Sequence, residues 1–146
     1  ELPNIGSIKI PAVPADPGAA TARVERLRVL IPSHVSIGIS GDAAAATGLL
    51  AGCNVWYSVV GGLFPEVALA ITRAALSGDA SQANQLSQRL EPLWALFRQH
   101  GSLRVVAAAA ELLGHAASPC LPAPLLALQG NDRERLASIF EECQLA

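Results

Sequence analysis

Residues 35–65 read VSIGISGDAAAATGLLAGCNVWYSVVGGLFP, and this stretch decides what kind of fold the chain builds. It carries no charged residue after Asp42, and it changes character twice. Val35-Ser-Ile-Gly-Ile39 is β-branched at alternate positions and stops at Ser40-Gly41, which predicts a strand. Ala43 to Ala51 is rich in Ala and Leu and predicts a helix, with Asp42 placed to cap it. From Cys53 to Val60 aromatic and β-branched residues return and predict a further strand, closed by Gly61-Gly62. Strand, short helix and strand in that order imply parallel pairing through a right-handed crossover.

The same residues invite a rival reading. The uncharged run from Ala43 to Pro65 is long enough to cross a bilayer, and Gly48 and Gly52 have the GxxxG spacing of membrane helix pairs. Asn54, Ser58 and Gly61-Gly62 interrupt that run, and its second half is strand-forming. A short helix feeding a buried strand accounts for both halves, so no membrane span is expected.

Working outward, Ile5 to Ile10 predicts an earlier strand, ended by Pro11 and the turn from Pro14 to Gly18. Ala19 to Leu30 predicts a helix with Ala22, Val29 and Leu30 facing inward and Arg23, Glu25, Arg26 and Arg28 facing water. Downstream, Pro65 opens a helix over Glu66 to Leu76, with Gly78 just past its end. The order is βαβαβα, and the near-continuous apolar strands fit a sheet covered on both faces. Residues 79–146 are all helix. Ala83, Leu86, Leu90, Leu93 and Phe97 form one apolar stripe, which Pro92 should kink or restart. Leu103 to Leu113 is a further helix, Pro119 to Pro124 an extended connector, and Asp132 the expected cap of a last helix bearing Leu136, Ile139 and Phe140. Three parallel strands cannot close a barrel, so the chain reads as a part of something larger.

Composition removes several function classes. With 51% apolar and 15% charged residues the chain is a well-buried globular protein and not a solvated, disordered segment. A net charge of −2 without a basic run leaves no footprint for nucleic acid. Cys53, Cys120 and Cys143 show neither CxxC spacing nor His partners, which predicts reduced thiols in a cytoplasmic protein and no metal site. Glu1-Leu-Pro-Asn4 is neither a charged nor an apolar leader, so no export signal is expected, and the absence of an initial Met suggests a partial chain. His34, His100 and His115 lie near helix or loop ends and receive no role, and Trp56 and Trp94 read as core or interface anchors.

The chemistry concentrates on Lys9, the only lysine beside nine arginines. It sits at the C-terminal end of an apolar strand, where a lysine must snorkel, pair with a carboxylate or be kept neutral by desolvation. A desolvated amine attacks carbonyl carbon to give a carbinolamine and then an imine. In parallel α/β folds ligand groups gather at the C-terminal ends of strands. The other such ends are Ser40-Gly41-Asp42, which either receives a carboxylate or is a plain turn with an Asp cap, and Ser58 to Gly62. Tyr57 either lines a pocket or fills the core.

Taken together, Asn4-Ile-Gly-Ser-Ile-Lys9, Ile39-Ser-Gly-Asp-Ala43, Ala51-Gly-Cys-Asn-Val-Trp-Tyr-Ser-Val-Val-Gly-Gly62, Gly78-Asp79 and Gln88-Arg-Leu-Glu-Pro-Leu93 resemble the dihydrodipicolinate synthase / N-acetylneuraminate lyase family. The resemblance implies an α/β fold: the last three βα units of a (β/α)₈ TIM barrel in residues 1–78, then a C-terminal helical region in residues 79–146. It implies a Schiff-base lyase or aldolase acting on pyruvate or a related 2-oxo acid and an aldehyde. It implies no cofactor, no metal, and assembly as a homo-oligomer, tetramer or dimer. It places Lys9 as the imine-forming residue and Ser40, Gly41, Asp42, Tyr57 and Ser58 around the substrate. The sequence departs from the family after the lysine, where Ile10-Pro-Ala-Val-Pro14 replaces an acidic or polar residue and a small-residue turn. The family's catalytic tyrosine and threonine-containing turn belong to earlier strands, so this chain is expected to be inactive alone. The alternative is a non-catalytic homologue, or a binding or oligomerisation module on the same fold.

Overall fold

The computed structural model describes residues 4–145. Glu1, Leu2 and Pro3, on which the reading of a missing export signal rests, lie outside them. Three strands, β1 (Ser7–Ile10), β2 (Ser36–Ser40) and β3 (Val55–Tyr57), form a parallel sheet in the order β1-β2-β3. Helices α1 (Pro17–Arg28) and α2 (Ala45–Leu50) are the two crossovers, and α3 (Pro65–Leu76) follows β3. The register pairs Lys9 with Gly38, Gly38 with Val55 and Ser40 with Tyr57.

Side chains alternate across each strand, so the sheet has two unlike faces. Ile10, Ile37 and Ile39 are buried against the helices. The opposite face carries Ser7, Lys9, Ser36, Gly38, Ser40 and Tyr57. The expectation of a sheet covered on both faces is therefore met on one: on the second, Lys9 is exposed and the Tyr57 ring lies across Gly38.

Each crossover starts and stops for local reasons. Asp16 caps α1 by accepting the Ala19 N–H at 2.8 Å, and Pro17 opens it. Its inward face is Ala20 and Val24, not the expected Ala22, Val29 and Leu30. Val29 and Leu30 are 82% and 77% exposed because the helix ends at Arg28 and both residues fall past it. Helix α2 approaches β2 so closely that a Cβ on Gly48 would lie 2.6 Å from Ile39 Cγ1. The glycine read as a membrane motif is thus a helix–sheet contact, and no helix among the described residues is long and apolar enough to cross a membrane.

Two expectations around β3 fail together. Asp42 does not cap α2; it lies in a single 3₁₀ turn, Asp42–Ala44, and makes no capping bond. Its carboxylate instead accepts the N–H groups of Val59 and Val60 beyond β3. Those donors are lost to strand pairing, so the strand expected over Cys53 to Val60 ends at Tyr57, and Val60–Gly62 is a second 3₁₀ turn.

The tail comprises α4 (Ala80–Arg89), α5 (Glu91–His100), α6 (Ser102–Leu112) and α7 (Gly130–Glu142). The apolar stripe splits at Leu90, with Pro92 in the first turn of α5 as its missing N–H requires. Asp132 does not cap α7; Gln129 holds that position, and Asp132 lies 3.3 Å from the inward-turned Nε2 of His100, out of line for a hydrogen bond. One continuous apolar core runs from Ile37 and Ile39 through Ile71 to Leu90, Trp94, Leu136 and Ile139.

Candidate active site

Lys9 leaves β1 on the bare face, near the strand's C-terminal end. It opens into a cleft of about 530 Å³ lined by Ser40, Gly41, Asp42 and Tyr57 from the strand ends and by Trp94, Phe97 and Arg98 from α5. Lys9 is exposed, so the expected desolvation is not supplied by these three units.

The loops that shape the cleft are tied to one another. Ser40 Oγ donates to the Ile10 carbonyl at 2.7 Å, which joins the end of β2 to the end of β1. Gly41 follows with φ +88°, and a Cβ there would also sit 3.3 Å from Ala12 Cβ, so only glycine makes this turn without strain. Asp42, 5% exposed, accepts Trp56 Nε1–H at 2.9 Å, the Val59 N–H at 3.1 Å and the Val60 N–H at 2.8 Å. A carboxylate so fully engaged holds the cleft wall; its acceptor capacity is already used within the protein.

Tyr57 crosses the bare face. Its ring lies over Gly38, where a Cβ would sit 2.2 Å from Tyr57 Cε2. Its hydroxyl donates to Ser7 Oγ at 2.7 Å, and Ser7 Oγ donates to the Ser36 carbonyl at 3.2 Å. Lys9 Nζ stands 6.0 Å from the ring centroid. Ser58 does not join this group. It points to the helix side, lines a separate groove with Pro65 and Thr72, and accepts the Gly61 N–H at 2.8 Å. The Gly61-Gly62 pair serves that tight turn.

The structure thus brings together Lys9, Ser40, Gly41, Asp42 and Tyr57, and excludes Ser58. Sequence reasoning missed Gly38, although a lone glycine inside a strand marks a close approach. It also missed that α5 reaches the cleft, for which periodicity carries no signal. Trp56 and Trp94 anchor as expected: Trp56 holds Asp42, and Trp94, 1% exposed, donates from Nε1 to the Ser87 carbonyl.

The thiols offer no rival chemistry. Burial pushes Cys53 and Cys143 up, and burial together with the neighbouring Glu111 pushes Cys120 up, so all three favour the protonated form. Among the described residues no three His, Cys, Asp or Glu side chains gather into a group that could hold a metal ion.

Comparisons with known proteins bear on the fold and the family. A 4-hydroxy-tetrahydrodipicolinate synthase of Thermomicrobium roseum is 33% identical over 130 residues, covering 88% of this chain and 42% of the relative. A crystal structure of dihydrodipicolinate synthase from Agrobacterium tumefaciens superposes with a TM-score of 0.90 at 42% identity, over 97% of this chain and 47% of that one. A chloride-inhibited dihydrodipicolinate synthase from Acinetobacter baumannii, solved complexed with pyruvate, shares the fold at 21% identity and a TM-score of 0.82, over 100% of this chain and 48% of that one. The chain spans about half the length of the relatives it matches. Its three βα units and helices correspond to a partial (β/α)₈ barrel with its C-terminal helical region. Residues 1–143 match the dihydrodipicolinate synthetase family, and the chain belongs to that family.

Proposed function

We propose that this chain supplies the imine-forming lysine and one wall of the substrate pocket of a Schiff-base lyase or aldolase. The observation that carries this reading is Lys9 on the bare, lumen-side face, sharing one cleft with Ser40, Gly41 and Tyr57 at the C-terminal ends of the strands. That is the end at which barrels of this class place their chemistry. In this reading residues 1–78 are barrel wall, and residues 79–146 brace it and close one side of the mouth.

The substrate is pyruvate or a related 2-oxo acid. Lys9 Nζ attacks its C2 carbonyl, the carbinolamine loses water, and the protonated imine draws electrons from C3 as a proton leaves it. The resulting enamine attacks the carbonyl carbon of an aldehyde, and hydrolysis frees the lysine; cleavage runs the same steps backwards. The open face and strand edges β1 and β3 are where the remaining barrel units would dock. They would bury Lys9 and bring the proton-relay and carboxylate-binding groups, so the chain by itself is inactive. Family membership supports this chemistry, and three unpaired thiols among the described residues are in keeping with a reducing, cytoplasmic setting. Leu125, Leu126 and Leu103, 42%, 60% and 56% exposed on the tail, support assembly into a homo-oligomer.

Borohydride reduction in the presence of pyruvate tests the proposal, applied to the chain together with the βα units that complete its barrel. A pyruvyl adduct on the peptide bearing Lys9, absent from Lys9→Ala, is the expected result. Folded protein that yields no adduct with pyruvate or with longer 2-oxo acids would leave a barrel without imine chemistry.

A further inference from the structure

We propose that Tyr57 is the floor of the 2-oxo acid pocket and sets the length of the acid that Lys9 accepts; the inference rests on the imine chemistry above. The ring is fixed at both ends. Its backbone belongs to β3, its hydroxyl is held by Ser7 on β1 at 2.7 Å, and between them it crosses β2 at the one position, Gly38, that has no side chain to obstruct it. Ser7 precedes Lys9 by two residues on the same face, which puts it roughly 6–7 Å nearer the strand's N-terminal end. The Tyr57–Ser7 bond therefore closes the lumen beneath the amine, on the side away from the mouth. With Nζ 6.0 Å from the ring centroid, the space between them takes a small group and little more.

The geometry of the reaction makes this floor selective. In the imine, C2 is attached to Nζ and C3 must present one face to an aldehyde arriving through the mouth. A carbon beyond C3 that turns down, away from the mouth, meets the volume that the ring occupies. A ring anchored by its hydroxyl does not swing aside as a free rotamer does. A single methylene in a shaped apolar pocket discriminates by roughly 10–200-fold, and the expected preference for pyruvate over its one-carbon-longer homologue is of that order.

The test is competitive trapping on the completed barrel. An equimolar mixture of pyruvate and 2-oxobutyrate is reduced with borohydride, and the two adducts on the Lys9 peptide are compared by mass. This ratio reports pocket shape and not the amount of folded or active protein. Tyr57→Ala is expected to shift the ratio toward 2-oxobutyrate by about tenfold or more, and Tyr57→Phe, which keeps the ring but frees it from Ser7, to shift it the same way by less. Gly38→Ala provides an independent approach, since its methyl would meet the ring at 2.2 Å and displace it; it should shift the ratio in the same direction. Adducts that form with an unchanged ratio in Tyr57→Ala or Gly38→Ala would overturn the floor while leaving the imine reading intact. No adduct from either acid in the unsubstituted protein would overturn both.

Discussion

In the βα units and in the tail a buried carboxylate holds irregular backbone in place, yet the two do so by different means. Asp42 gathers three donors, two backbone N–H groups and an indole, with no cation among them. Glu111 in α6, whose side chain is 2% exposed, accepts the Cys120 N–H at 2.9 Å, Ser118 Oγ–H at 2.9 Å and the Arg133 guanidinium at 2.8 Å. The first anchor fixes the end of β3 and with it the cleft wall; the second ties the proline-rich connector and α7 to α6. The two differ in what is lost when the carboxylate goes. Removing Asp42 strands donors inside the sheet's end, where no regular partner can take them. Around Glu111 the released groups lie near a surface cleft, and an arginine reorients into water at little cost.

Asp42→Ala should therefore have the largest effect. Three partly or fully buried donors lose their acceptor, for a destabilisation of about 2–4 kcal/mol, read as a lowered urea midpoint. A loss no greater than that of Glu111→Gln would break the comparison.

Gly48→Ala comes next and probes the same region through packing alone. The new methyl would lie 2.6 Å from Ile39 Cγ1, a fully buried side chain in the central strand with nowhere to retreat. Overpacking costs about 1–3 kcal/mol and the gain in helix propensity returns up to about 1, leaving a net loss of about 1–2 kcal/mol by the same measurement. A neutral or stabilised variant would show that α2 can ride up from the sheet.

The smallest effect is a pH dependence confined to the tail. The Cys120 N–H first, then the Ser118 hydroxyl and the Arg133 guanidinium, hold the Glu111 carboxyl at about 2, against the usual 4.5. Because the folded value is the lower one, this stabilisation is complete above about 4.5 and is lost as pH falls toward 2. Protection factors of connector and α7 amides, with the intrinsic pH dependence of exchange divided out, should fall across that window, and Glu111→Gln should flatten the response. An equal fall in β1–β3 would mean that the two regions do not differ as described.

The order of strands and helices was legible because it is written in local periodicity, from the strand that bears Lys9 to the break in the stripe before Pro92. The misses cluster where a distant partner outbid a local one. Asp42 had the position and chemistry of a helix cap, but donors 17 and 18 residues on claimed its carboxylate, and the same bonds cut β3 short. Val29 and Leu30 continued an apolar pattern, yet the helix had ended. At the site, Lys9, Ser40 and Tyr57 were legible as residues at strand ends, whereas Ser58, expected around the substrate, lines a separate groove with Pro65 and Thr72.

By itself the sequence determined three parallel βα units followed by helices, with one lysine at the end of the first strand, since these follow from side-chain periodicity and chain order. Tertiary structure alone decided that Tyr57 reaches across Gly38 to Ser7, a partner 50 residues away. It alone brought α5 over the cleft and gave Asp42 to the backbone beyond β3. The reason is that a hydrogen-bonding side chain takes the best partner that the folded chain places within reach, and proximity in space between distant residues leaves no period in the sequence.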